Sequence, residues 1–217
     1  KKPEKIIDLK SVNKIEDLKS VENLFKTHKE VLDPFFTNTS FKSLSITRKL
    51  NSNGNTDMNG NIRLSVSKAN HLVSGLNSIK NKIDLTQDQE KAFATLWHEI
   101  WHNTNKDNFT FLTRMETRFM ELGNEFVARK TLDDIFGLFG TKLKDQSLKE
   151  NRTDTGYNAW VRNYDKLIAY FKADQKVIID YMKDRMQNGD HDKVKIYLKE
   201  AIIKGVQFSK LKESDVL

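Results

Sequence analysis

Residues 86–103 read Thr86-Gln-Asp-Gln89-Glu90-Lys-Ala92-Phe93-Ala94-Thr-Leu96-Trp97-His98-Glu99-Ile100-Trp101-His102-Asn103. Thr86 and Gln89 have the spacing of a helix-opening capping box. Ala92, Phe93, Leu96, Ile100 and Trp101 then recur at helical spacing, so a helix is expected from residue 87 to His102 or Thr104. His98 and His102 stand four apart and share one face, where two imidazoles can reach a single ion. Glu99 is offset by one position. That angles its carboxylate beside such an ion, where it can take a proton from a water. The pair falls among only five histidines in 217 residues. Trp97 and Trp101 lie beside the histidine face and read as core packing, as do Phe119, Phe126, Phe136 and Phe139.

Upstream the period is different. Ile62, Leu64 and Val66 alternate with Arg63, Ser65 and Ser67, and Leu44, Ile46 and Leu50 share one parity. Both are strand patterns. The Asn/Gly-rich stretch 51–60 between them reads as a loop, so 41–67 is expected to be a long β-hairpin. Residues 12–33 read as an amphipathic helix ended by Asp33-Pro34. Residues 68–82 read as a short helix. Downstream, Thr113 and Glu116 repeat the capping-box spacing and open a helix to about Phe139, with Gly140 as its C-cap. Helices follow at 157–172, 174–187 and 191–203. The expected fold class is α+β and helix-rich, with a small β-hairpin or sheet. The expected organisation is an N-terminal helix (1–40), a core (41–140) and a helical C-terminal part (141–217).

Composition narrows the function classes. There are no cysteines, which excludes disulfides, thiolate metal sites and a cysteine nucleophile. No apolar run reaches the ~20 residues of a membrane helix, and no signal-peptide pattern is present. The chain begins at Lys1 and reads as part of something longer. The net charge is +7, and part of it is local: six lysines lie between Lys193 and Lys212 against Glu200 alone. Without interleaved arginines or stacking aromatics this reads as a solvated helix face, and nucleic acid is not an expected partner.

A catalytic zinc site needs a third protein ligand and an open position. The next histidine after His102 is His191, so a carboxylate of the following helix is the alternative: Glu116, Glu121 or Glu125. Gly123, within that stretch, allows another helix to approach closely.

The string His98-Glu99-Ile-Trp-His102 followed by Asn124-Glu125-Phe-Val-Ala128 resembles the gluzincin branch of zinc metallopeptidases, which includes thermolysin-like and aminopeptidase-type members. The element order is also similar to that of the compact metallopeptidase domains of phage and mobile-element polyvalent proteins. The resemblance spans roughly 41–140. It implies a zincin-like fold, with Zn²⁺ held by His98, His102 and Glu125 and Glu99 as general base. It also implies peptide-bond hydrolysis, with a protein or peptide substrate lying along 61–67 as an edge strand. The parent polypeptide itself is one candidate substrate. Gluzincins usually add a downstream Tyr or His as oxyanion donor. Tyr157 is the first candidate here, with Tyr164 and His191 behind it. Two departures keep Glu121 and Glu116 open as ligands. Arg129 stands where thermolysin-like enzymes carry a supporting Asp, leaving Asp133 or Asp134 for that role, and 22 residues separate His102 from Glu125. The alternative function is a catalytically weak or inactive zincin-fold interaction domain of a larger phage or mobile-element protein.

Overall fold

A computed structural model describes residues 6–12, 14–36, 40–49, 52–57, 59–105, 111–150 and 157–214. Among them are strands β1 (Ser43–Ile46), β2 (Gly54–Thr56) and β3 (Asn61–Leu64). The helices are α1 (Leu18–Thr27), α2 (Lys29–Leu32), α3 (Val66–Lys80), α4 (Gln87–His102), α5 (Arg114–Lys130), α6 (Leu132–Leu138), α7 (Asn158–Tyr170), α8 (Gln175–Asn188) and α9 (Val194–Ser214). The fold is α+β and helix-rich, with one small sheet. By internal contacts the chain forms two units, residues 1–104 with 131–148, and residues 105–130 with 149–217.

The first unit holds the sheet, and its topology corrects the expected hairpin. The strand order is β1-β3-β2. β1 runs parallel to β3, with Leu44 opposite Ile62, and β2 runs antiparallel to it, with Asn55 opposite Arg63. β2 lies inside the Asn/Gly-rich stretch read as a loop, which has no apolar alternation to announce a strand. What makes it one is the turn after it. Asp57 accepts hydrogen bonds from the backbone N–H of Asn59 at 3.0 Å and of Asn61 at 3.3 Å, and Gly60 turns the chain at φ +81°. β3 is therefore the central strand rather than an edge. It ends at Leu64, because Ser65 caps α3 by accepting from the Lys68 N–H. Val66 is thus a helical residue exposed to solvent. Leu44, Ile62 and Leu64 are buried, as their alternation predicts.

The helix expected over 12–33 begins only at Leu18, where Asp17 accepts from the Ser20 N–H at 2.8 Å. Pro34 falls in the 3₁₀ turn Asp33–Phe35 that follows α2. Val21, Leu24 and Phe25 are buried. Glu22 is buried on the same helix. Its carboxylate accepts from Lys19 and Lys26 Nζ, both at 2.6 Å, and from the Leu44 N–H of β1 at 3.1 Å. The short helix expected over 68–82 is helix α3, which starts earlier at Val66, ends at Lys80 and packs on α4. Phe93 of α4 stacks against Phe136 and Phe139, both at 5.4 Å. Buried Glu90 receives the Lys144 and Asp145 N–H groups at 2.6 and 2.9 Å, which closes the loop after α6.

In the second unit α5, α7, α8 and α9 pack around Phe126, Val161, Ile178, Met182, Met186 and Leu198. A Cβ at Gly123 would stand 2.8 Å from Val194 and 3.0 Å from the Met186 sulfur. The close approach read into this glycine is therefore made by α8 and α9. The helix expected to reach Phe139 breaks at Thr131 into α5 and α6. Gly140 has the positive φ (+67°) of a C-cap. No described helix is long and apolar enough to cross a membrane.

Candidate metal centre

The capping box forms as spaced. The Thr86 N–H donates to Gln89 Oε1 at 2.9 Å, and the Gln89 N–H donates to Thr86 Oγ1 at 3.3 Å. α4 then buries Phe93, Leu96, Trp97, Ile100 and Trp101. Trp97 donates its indole N–H to Thr131 Oγ1 at 3.0 Å and packs edge-on against Trp101 at 6.1 Å. The two tryptophans are core, as expected, and leave the adjacent face to the histidines.

On that face His98 and His102 are half-buried. Their Nε2 atoms are 3.0 Å apart, and their rings stand nearly perpendicular, with centroids 4.7 Å apart. Two nitrogens bound to one tetrahedral zinc at ~2.05 Å lie about 3.3 Å apart. The pair is therefore within a few tenths of an ångström of the separation that one shared ion demands.

Glu99 is buried, 4% exposed, against the strand that sequence reasoning missed. A Cβ on Gly54 would come within 2.8 Å of Glu99 Oε1 and 3.1 Å of its Cγ. Only a glycine lets the β2 backbone lie so close to this carboxylate. Asn103, next after α4, donates its Nδ2 to Thr56 Oγ1 of β2 at 2.7 Å and to the Glu99 carbonyl at 3.1 Å. The end of the histidine helix is thereby tied to β2. Gly54, Thr56 and Asn103 carried no signal in the sequence, because a Gly or Asn in a polar run reads as turn chemistry.

The acidic candidates on α5 differ in what they hold. Glu116 accepts from the Thr113 N–H at 2.6 Å and receives its cap in return. Hydrogen bonds to its carboxylate from the Thr113 side chain and the Thr113 backbone N–H, opposed only weakly by burial, hold its carboxyl below the usual range. Glu125 is buried, and its Oε1 accepts from Arg129 Nε at 2.6 Å. Arg129, found where a supporting Asp was looked for, is thus the ion-pair partner of Glu125. Glu121 is half-buried one turn earlier. Asp133 and Asp134 open α6, the first exposed and the second half-buried. Of the oxyanion candidates, Tyr157 precedes α7 and stacks on Trp160 at 5.1 Å. The Asp154–Gly156 segment before it lies outside the described residues. Tyr164 is committed elsewhere: buried in the second unit, it donates its hydroxyl to the Leu198 carbonyl at 2.7 Å. Burial pushes its phenol well above the ordinary tyrosine range. His191 opens a 3₁₀ turn before α9.

No family model, curated protein or solved structure matches this chain.

Proposed function

We propose that this chain is a zinc-dependent metallopeptidase of gluzincin type. The observation that carries the reading is the His98–His102 pair, its two Nε2 atoms 3.0 Å apart on one helical face, with Glu99 buried at the next position against the edge strand β2. The donor set suits Zn²⁺: two imidazoles and a carboxylate, with no thiolate in the chain. The third ligand in this reading is a carboxylate of α5, Glu125 as the resemblance implies or Glu121 as the alternative. Glu125 also carries the Arg129 ion pair, which a bound metal would have to share or displace.

Bound zinc would supply Lewis acidity, polarising the scissile carbonyl and acidifying a water. Glu99 accepts the proton of the attacking water at its carboxylate and returns it to the leaving amine. The substrate is a protein or peptide in extended form. β2 takes the place first given to 61–67, because it is the sheet edge against which Glu99 packs. Tyr157 is retained as the candidate oxyanion donor.

Metal analysis of protein purified without chelator tests the ligand set. About one zinc per chain is expected, lost in His98→Ala and in whichever of Glu125→Ala and Glu121→Ala removes the third carboxylate. Retention of zinc in both glutamate variants would exclude α5 as the source of the third ligand. No zinc in the unaltered protein after add-back would remove the reading. Glu99→Gln should keep the metal and lower peptide hydrolysis ~10²- to 10⁴-fold. Zinc binding with no Glu99-dependent hydrolysis of any peptide would favour the inactive interaction domain.

A further inference from the structure

The second unit carries an open groove of about 580 Å³ between α5, α7 and α9, lined by Phe119, Tyr164, Leu167, Phe171, Ile203 and Val206 among others. We propose that this groove docks an acidic amphipathic helix of a partner protein.

Its shape argues for a helix. Leu167, Phe171 and Ile203 are 47%, 49% and 45% exposed. A single alkyl chain lying between them would leave their outer halves in water, whereas a helix ~10 Å across covers them. The α9 lining runs from Leu198 to Gln207, about 14 Å at 1.5 Å per residue. That accommodates some two and a half turns of a partner, enough for anchors at i, i+3 or i+4, and i+7.

Charge selects the kind of helix. Not every lysine of the 193–212 run serves the groove. Lys193 pairs with Asp190, and Lys204 lies over the Tyr181 ring. Lys199 lines the groove, and Lys195 lies over the Phe119 ring at 5.6 Å, on its margin. The one acidic residue of the run, Glu200, accepts from the Tyr181 hydroxyl. The rim that α9 offers is therefore cationic beside an apolar floor, which matches Leu-type anchors flanked by Glu or Asp. A second copy of this chain fits less well, because a two-fold contact would set the same lysines against each other.

The test uses the full chain and two designed, fluorescently labelled helical peptides. Both carry leucines at i, i+3 and i+7. One has Glu at the flanking positions, the other Lys. Fluorescence anisotropy should show the Glu peptide binding at least tenfold more tightly than the Lys peptide. Ile203→Glu should weaken it at least tenfold. Lys199→Glu, which leaves the apolar floor untouched, should do the same, with circular dichroism of both variants unchanged. Equal binding of the two peptides, or binding of neither, overturns the proposal. Saturable binding of oleate lost in Ile203→Glu, with no peptide binding, would make the groove a lipid site instead. A concentration-dependent dimer lost in Ile203→Glu would make the occupant a second copy.

Discussion

One hydrogen atom at position 54 decides how closely β2 lies against Glu99. A methyl there would meet Oε1 at 2.8 Å and Cγ at 3.1 Å, so the carboxylate must shift or the strand must back away. A displacement of about 1 Å in a catalytic group can cost up to ~10²-fold in rate. Under the proposed peptidase reading, Gly54→Ala should therefore lower kcat roughly 10- to 100-fold while zinc content stays at the unaltered level. Steady-state kinetics paired with metal analysis checks this, and unchanged kcat would mean that Glu99 is not held by the strand. The histidines differ in kind. Their juxtaposition follows from helical spacing alone, so a reader of the sequence can place them without knowing what surrounds α4.

Elements are joined by a few buried polar groups, and Glu22 is the clearest. It sits on α1 and receives the Leu44 N–H of β1 together with two lysines. Burial alone would raise its pKa. The hydrogen bonds from Lys19 and Lys26, with that from Leu44, outweigh burial and bring the pKa from the ordinary 4.5 down to about 2. A carboxylate with a depressed folded-state pKa contributes stability that is fully present above the unfolded value and lost as pH falls through the folded one. Urea titrations should show a contribution on the order of 1–3 kcal/mol, intact at pH 6 and declining between pH 4.5 and 2. In Glu22→Gln that portion of the pH dependence should be absent. An identical acid limb in both proteins would show that the tie between α1 and β1 carries no linkage.

At the scale of the whole molecule, the proposed ligand set couples zinc binding to folding. A metal that binds only the native chain stabilises it by about 2.7 kcal/mol at a hundredfold excess over Kd. For a chain of 217 residues that corresponds to a rise in Tm of about 5–10 °C. Differential scanning fluorimetry with EDTA and with added zinc should show this shift in the unaltered protein and none in His98→Ala. The two units have separate cores, one of aromatics and leucines around Phe93, Leu96 and Phe136, the other holding the buried methionines Met182 and Met186. That division is invisible along the chain, because α5 and α6 read as one continuous helix. The break at Thr131 coincides with the point where Trp97 takes the threonine hydroxyl as its hydrogen-bond partner.

What the sequence determined by itself is local in origin. The capping box of α4, its buried stripe, the facing histidines, the helix-rich α+β class and the alternation of Ile62 and Leu64 all depend on residues within a turn or two of each other. Short-range geometry follows from spacing. Tertiary structure decided what depends on partners distant along the chain. β1 joined β3 in parallel, and Asn- and Gly-rich residues became an edge strand because β3 offered them a backbone to pair with. Gly54 met Glu99, Arg129 engaged Glu125, and the Tyr164 hydroxyl was taken by Leu198. No pattern of polar residues announces which distant group will satisfy them. Burial makes that choice, because a buried donor or carboxylate must find its partner wherever the packed chain supplies one.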